Sequence, residues 1–334
     1  MITTKTEGKS IFKKEHHIDP QYAFLDRYVT LLYKSFWVPS KYEKSIRETD
    51  APHFFNVMGS VDQETISRCI LATSIVEDKL KTYWSTLPLD IPQTVVGDVG
   101  GVFAQSEVTH RRSYHALLEA LKIDPDDIEK YDVLRDRIAY LNKYTEVDPK
   151  IIGKKRVLKK LVLFTSLVER CSLFTQFYIL MSYEKSMKGL TTISSLQAST
   201  ACEEELHYRF GIDLINIIKK EHPNMWDEYL TELIEKNLQE AYNAELKLID
   251  WFFEKGTPEH LTKQEVVNFL NSNFNVVCRD LNLELRFDVD DELYVQKNEW
   301  FNIKLKSTEP DFFYNHVGGY SSEKEEIDVE NFQF

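Results

Sequence analysis

The motif Glu-x-x-His occurs twice in this chain, as Glu107–His110 and as Glu204–His207. On a helix, residues three apart lie on one face, a turn from each other. A carboxylate and an imidazole so placed can grip one metal ion between them. Tyr114, seven residues after Glu107, falls on the same stripe and puts a phenol one turn beyond His110. Two further carboxylates interrupt apolar faces. Glu77 continues the three- and four-residue steps Ile66, Ile70, Thr73, Glu77, Leu80, Trp84 and so points inward. Asp78, about 100° round the helix, is the alternative first carboxylate. Glu169 closes the stripe Leu158, Val162, Thr165, Glu169, with Phe164, Leu167, Val168, Cys171, Leu173 and Phe174 around it. An ionised glutamate in such surroundings is costly unless paired or metal-bound.

The sum is four carboxylates and two imidazoles: Glu77, Glu107, His110, Glu169, Glu204 and His207. Four negative charges balance two divalent ions. Oxygen-rich ligation with one nitrogen per metal suits iron or manganese better than zinc.

These residues need long helices to position them, and the composition supports that. The chain has 334 residues, 43% of them hydrophobic, with only 11 Gly and 10 Pro, which favours a mostly helical protein. Residues 1–19 read as a loose arm. Gln21 to Trp37 has the period of an amphipathic helix (Phe24, Leu25, Tyr28, Leu31, Leu32, Phe36), stopped at Val38-Pro39. A helix from about Gln63 to Thr86 follows, with Asp62 as N-cap; Pro88, Pro92, Gly97, Gly100 and Gly101 then mark a connection. The helix of the first motif runs from about Val102 to Leu121, and another from Pro125 to Tyr144. Two long helices over 150–187 and 191–221 are separated by Gly189, and two more cover Asn224 to Glu254 and Leu261 to Leu285. The basic run Lys154 to Lys160 reads as a solvated helix start. One all-α domain over 20–304, followed by a flexible tail over 305–334, is the expected organisation.

Several functions are disfavoured. The formal charge of −13 argues against non-specific nucleic-acid binding. No stretch of about eighteen uncharged apolar residues exists, so no membrane span is expected. Cys69, Cys171, Cys202 and Cys278 lack Cys-x-x-Cys spacing and lie in apolar patterns, as reduced core thiols of a cytoplasmic protein would. There is no signal-peptide pattern, no Gly-rich phosphate loop and no nucleotide-binding motif.

The ordered set of motifs resembles the small, radical-generating subunit of class I ribonucleotide reductases. The motifs that carry the resemblance are Ser35-Phe36-Trp37-Val38-Pro39, Ser106-Glu107-Val108-Thr109-His110-Arg111-Arg112-Ser113-Tyr114, Leu167-Val168-Glu169, Cys202-Glu203-Glu204-Glu205-Leu206-His207 and Asn331-Phe332-Gln333-Phe334. The resemblance implies a ferritin-like helical bundle with a di-metal site in its core, held by the six residues named above. It implies that Tyr114 stands at the radical-tyrosine position and that Trp37 relays oxidising equivalents out of the site. It further implies that Tyr320 passes them on from the tail (Tyr314 being the alternative), and that Asn331, Phe332, Gln333 and Phe334 dock on a large subunit. A homodimer, a di-metal centre activated by oxygen or superoxide, and supply of the oxidant for ribonucleotide reduction go with the family. A stand-alone ferritin-like di-metal oxidase would share the cage but would not need Tyr320 or the docking peptide.

Two departures bear on this. Glu203 stands where most of the family has an aspartate that links the metal-bound histidine to the relay tryptophan. Its extra methylene still lets it bridge His110 and Trp37, and it is an alternative ligand to Glu204. Glu77 stands where iron-tyrosyl members have aspartate. With Tyr114 retained, that combination is more similar to the subclass that uses two manganese ions activated by superoxide, so manganese is favoured over iron and Tyr114 need not carry the radical.

Overall fold

The computed structural model describes residues 10–308, without the side chains of 78–81 and 307–308. All the regular elements among them are helical. They are α1 (Arg27–Ser35), α2 (Ser40–Ser45), a π-helical turn (Ile46–Asp50), α3 (Ala51–Asn56), α4 (Ser60–Asp90), α5 (Thr94–Ala120) and α6 (Asp132–Leu141). Then come α7 (Lys154–Leu163), a second π-helical segment (Phe164–Cys171), α8 (Phe174–Lys185) and α9 (Thr191–Glu221). The chain continues through α10 (Glu228–Phe252), α11 (Lys263–Leu281), the single turn α12 (Asp291–Leu293), a third π-helical turn (Tyr294–Asn298) and α13 (Glu299–Thr308). Short links make α4 with α5, and α8 with α9, packed helical hairpins. Their inward stripes, with those of α7, α10 and α11, close one continuous apolar core.

The connection expected around residues 88–101 is only residues 91–93. Pro88 lies in the last turn of α4, and Gly97, Gly100 and Gly101 lie inside α5. A glycine in a helix costs roughly 1 kcal/mol against alanine, and packing explains why Gly100 is kept. A Cβ there would stand 2.7 Å from the Trp84 carbonyl, so glycine lets α5 lie against the backbone of α4. Gly211 does the same between α9 and the second π segment, where a Cβ would meet Thr165 Oγ1 at 2.2 Å. Both close approaches lie beside the residues that form the site.

Other expectations are corrected. The arm is packed from residue 10: Ile11 is fully buried, its N–H donates to Glu221 Oε2 (2.7 Å), and Ser10 Oγ meets His222 Nε2 (2.9 Å). Phe24 and Phe36, placed on the inward stripe, are 47% and 55% exposed, because a 3-10 turn (Ala23–Asp26) precedes α1 and the helix ends at Ser35. Gly59, not Asp62, is the N-cap of α4; Asp62 accepts from Tyr183 Oη (3.2 Å). The helix expected over 125–144 is α6 flanked by 3-10 turns, Pro125–Lys130 and Asn142–Thr145. Lys159, in the run read as solvated, is buried and donates to the carbonyls of Lys143 (3.1 Å) and Glu146 (2.7 Å). Asn282 adopts φ 60° and ends α11 before Leu285. Periodic structure extends past 305, since α13 reaches Thr308 with Leu305 buried. The four cysteines are free and buried.

Candidate metal centre

Four helical segments bring six side chains to one point in the core. α4 supplies Glu77, α5 supplies Glu107 and His110, the second π segment supplies Glu169, and α9 supplies Glu204 and His207. All six are fully buried. They form two overlapping groups, Glu77/Glu107/His110/Glu204 and Glu107/Glu169/Glu204/His207, each with its ligand atoms within 4.8 Å of one another. Glu107 and Glu204 belong to both groups, as bridging carboxylates would.

The imidazoles present Nδ1 to the cluster. His110 Nδ1 lies 2.9 Å from Glu204 Oε1, 3.5 Å from Glu107 Oε2 and 3.6 Å from Glu77 Oε2. His207 Nδ1 lies 3.0 Å from Glu107 Oε1, 3.2 Å from Glu204 Oε2 and 3.6 Å from Glu169 Oε2. Each ring's Nε2 is engaged on the far side, His110 with Glu203 Oε2 (2.7 Å) and His207 with Ser106 Oγ (3.1 Å). Such outer partners fix the tautomer that leaves Nδ1 as a lone-pair donor.

Buried polar atoms without hydrogen-bond partners concentrate here. Both oxygens of Glu77 and of Glu107, Glu169 Oε2, Glu204 Oε1 and His110 Nδ1 have none. Orphaned carboxylate oxygens in a core are costly. A pair of divalent cations would satisfy all of them, so the donor set fits two metal ions.

Without metal, protons take the place of cations. Burial pushes the Glu77 carboxyl up to about 8, with Glu204 and Glu107 adding to the shift and His110 opposing it. Burial and then Glu204 raise Glu169 well above the carboxylate range. Glu204 is held low although burial opposes it, because the neighbouring Glu169 carboxyl and the two imidazoles favour its ionised form. The surrounding carboxylates raise both imidazoles despite burial. Below about pH 8, therefore, Glu77 of the metal-free protein is protonated, and a binding ion must expel that proton. Metal affinity is expected to rise with pH through about 8, by as much as about tenfold per unit for each proton released, and to go on rising above it while Glu169 and the two imidazoles still hold protons. Calorimetry in buffers of different ionisation enthalpy measures the release; a pH-independent affinity with no release would contradict it.

The three consecutive glutamates of the second motif separate by role. Glu204 is in the cluster. Glu205 pairs instead with Arg170 and with Arg209 Nε (2.7 Å). Glu203 backs His110, and its other oxygen is 3.5 Å from Ser35 Oγ. It does not bridge to Trp37 as expected: Trp37 Nε1 has no hydrogen-bond partner. Trp37 reaches the site through its ring, stacked on His110 with centroids 5.9 Å apart and planes 22° apart. Tyr114 is fully buried, and its hydroxyl donates to Gln197 Oε1 (2.5 Å). Tyr320, Tyr314 and Asn331, Phe332, Gln333 and Phe334 lie outside the described residues, as does the side chain of Asp78.

Trp84 was missed as a site residue. Fully buried, it donates Nε1–H to Glu169 Oε1 (2.8 Å), which holds that carboxylate with Oε2 toward His207. The signal was present, because Trp84 lies seven residues after Glu77 on the same stripe. Gln197 and Ser106 were also missed, and nothing in their spacing marks them. The π geometry around Glu169 is the kind of helical irregularity frequent at functional sites.

Two Glu-x-x-His helices and two segments that each add one glutamate, closed around a buried cluster, define a ferritin-like di-metal carboxylate protein. The family model "Ribonucleotide reductase, small chain" matches residues 17–295, and the chain belongs to that family. A curated relative, the ribonucleoside-diphosphate reductase subunit beta of Chlamydia pneumoniae, is 25% identical over 157 residues. That match spans 43% of this chain and 44% of the relative's length. The fold is similar to that of the ribonucleotide reductase R2 subunit of Clostridium botulinum (TM-score 0.72, 15% identity, 85% of this chain and 88% of that one). It is also similar to an R2-like ligand-binding oxidase mutant solved with a Mn/Fe cofactor (TM-score 0.62, 16% identity, 80% of this chain and 99% of that one). No helix among the described residues is long and apolar enough to cross a membrane.

Proposed function

We propose that this chain is the radical-generating small subunit of a ribonucleotide reductase, working with a large catalytic subunit in deoxyribonucleotide synthesis. The observation that carries the reading is a fully buried cage of orphaned carboxylate oxygens with the Trp37 ring stacked on one of its histidines. When bound, the two metal ions supply a stored one-electron oxidant, formed with oxygen or superoxide. The protein's residues hold that centre dry, ligated and connected to the outside. Glu77 and His110 would hold one ion and Glu169 and His207 the other, with Glu107 and Glu204 within reach of both. Glu203 retains the His110 Nε2 proton, and Trp84 orients Glu169. Trp37, beside His110 and edge-on to Tyr42 (centroids 5.3 Å apart), is the exit for the oxidising equivalent, and Tyr320 continues the route in the tail. Asn331, Phe332, Gln333 and Phe334 dock on the large subunit. The family also carries the expectation of a homodimer in the cytoplasm.

The environment of Tyr114 favours manganese over iron. Tyrosine oxidation needs somewhere for the phenolic proton to go. The hydroxyl here points at the neutral amide oxygen of Gln197, and burial keeps its pKa well above the ordinary value. An amide oxygen does not take up that proton, which supports the reading of an intact phenol with the oxidant kept on the metals. The test is metal content and electron paramagnetic resonance after loading with iron or manganese, with turnover measured beside the large subunit. Tyr114→Phe is expected to keep at least about half the activity. An inactive Tyr114→Phe protein with both metals bound would overturn the manganese reading. Oxygen consumption without turnover would assign the chain to the stand-alone oxidases that its fold also resembles.

A further inference from the structure

Away from the metal centre, a surface groove of about 430 Å³ opens between α1, α9, α11 and α13. Five cationic side chains line it, Arg27, Arg170, Arg209, Arg279 and Lys306, against three carboxylates. Arg27 pairs with Asp213 (2.6 Å), Arg279 with Asp280 (3.1 Å), and Arg170 and Arg209 share Glu205. The groove therefore carries two positive charges more than its own acids balance, in a chain whose formal charge is −13. Ile212, Val276 and Leu305 give it apolar walls between the charges.

The segment that fits this groove belongs to the same chain. Residues 309–314 read Glu-Pro-Asp-Phe-Phe-Tyr: two acids, then three aromatic side chains. They begin three residues after Lys306, which lines the groove near the end of α13. Pro310 disfavours helical geometry at the residue before it, Glu309. Three residues reach at most about 10 Å, so Glu309 is within reach of the groove. The cavity has the size of a small-ligand site; it has room for a few side chains and not for the whole tail. We infer that the groove is the seat of the base of the tail, with Glu309 and Asp311 against Lys306 and Arg279 and one or two of the following aromatics against Ile212, Val276 and Leu305. The tether makes this an intramolecular association with an effective concentration in the millimolar range, so a modest interaction suffices. It anchors the tail on α9, the helix whose neighbouring residue Glu204 faces the metal cluster. The distal acidic part, from Glu323 onward, stays available to a partner.

The test is amide hydrogen exchange on the full-length chain, alone and without added metal. Its outcome is thus independent of turnover and of the reading of the metal centre. Residues 309–314 are expected to exchange about tenfold more slowly than the distal tail, with protection falling as salt is raised. The double variant Arg279→Glu/Lys306→Glu is expected to lose the protection at 309–314 while α9 and α11 keep theirs. Adding Glu309→Lys/Asp311→Lys to that background is expected to restore it. Glu309→Lys/Asp311→Lys alone is also expected to lose the protection; it touches no core position, so that arm reads out even if the groove variant folds poorly. Free exchange of 309–314 in the unaltered chain, protection indifferent to the charge reversals, or protection arising only when a large subunit is added would each overturn the inference.

Discussion

Replacing Glu204 by alanine is expected to empty both metal positions, whereas Glu77→Ala is expected to empty one. The difference follows from the overlap of the two ligand groups. Glu204 faces His110 Nδ1 with Oε1 (2.9 Å) and His207 Nδ1 with Oε2 (3.2 Å), so its loss removes an oxygen from each position. Glu77 stands only in the group with His110. Losing a mere outer partner of a ligand typically costs about 10- to 100-fold in metal affinity, so losing a shared ligand should cost more than about 100-fold at both positions. The fold is expected to survive, since Glu107 still faces both His110 Nδ1 and His207 Nδ1 after the change. Metals counted per chain after saturation, with helicity checked by circular dichroism, decide the matter. Two ions retained by Glu204→Ala, or equal loss in the two variants, would sink the bridging assignment.

Deleting residues 325–334 is expected to abolish turnover with the large subunit and leave metal loading unchanged. From Glu323 to Glu330 the tail holds acids at 323, 325, 326, 328 and 330 against Lys324, and Phe332 and Phe334 follow. Acids followed by two aromatic side chains suit recognition by a partner's surface. Each aromatic anchor of an interface is typically worth roughly 2 kcal/mol or more, about 30-fold in affinity. The carboxylates supply mainly steering, so the residual association should depend little on salt. The metal centre lies in the core and does not include this segment, so loading gives a control within the same sample. Normal turnover in the truncated chain would remove the docking assignment and with it the main distinction from a stand-alone oxidase.

Much of the site is legible in the linear chain because ligation on helices is a local matter. Glu-x-x-His places its two donors one turn apart whatever the rest of the protein does. An apolar stripe broken by a carboxylate, as at Glu77 and Glu169, marks a buried charge that must have a counterpart. The long helices follow from the same 3.6-residue period, which is why α9, Thr191–Glu221, begins and ends where its periodicity does. The breaks were less legible. Gly97, Gly100 and Gly101 look like a connection, yet all three lie inside α5, where Gly100 packs against the backbone of α4 at Trp84. Tertiary packing overrides local propensity at such points.

What the sequence determined by itself was the inventory: which side chains could bind metal, and that most of them sit on inward helical faces. What only the tertiary structure decided was how each helix is rotated against its neighbours. Successive helical residues point about 100° apart, so the register of α9 alone chooses among Glu203, Glu204 and Glu205. Packing sends one to the imidazole's far side, one to the metals and one to Arg170. The same holds for partners distant in sequence. Trp84 reaches Glu169 across 85 positions, Tyr114 reaches Gln197 across 83, and Glu203 turns to Ser35 rather than Trp37. A periodicity carries no information about which stripe will face which, because that depends on the shapes of all the side chains that fill the core between them.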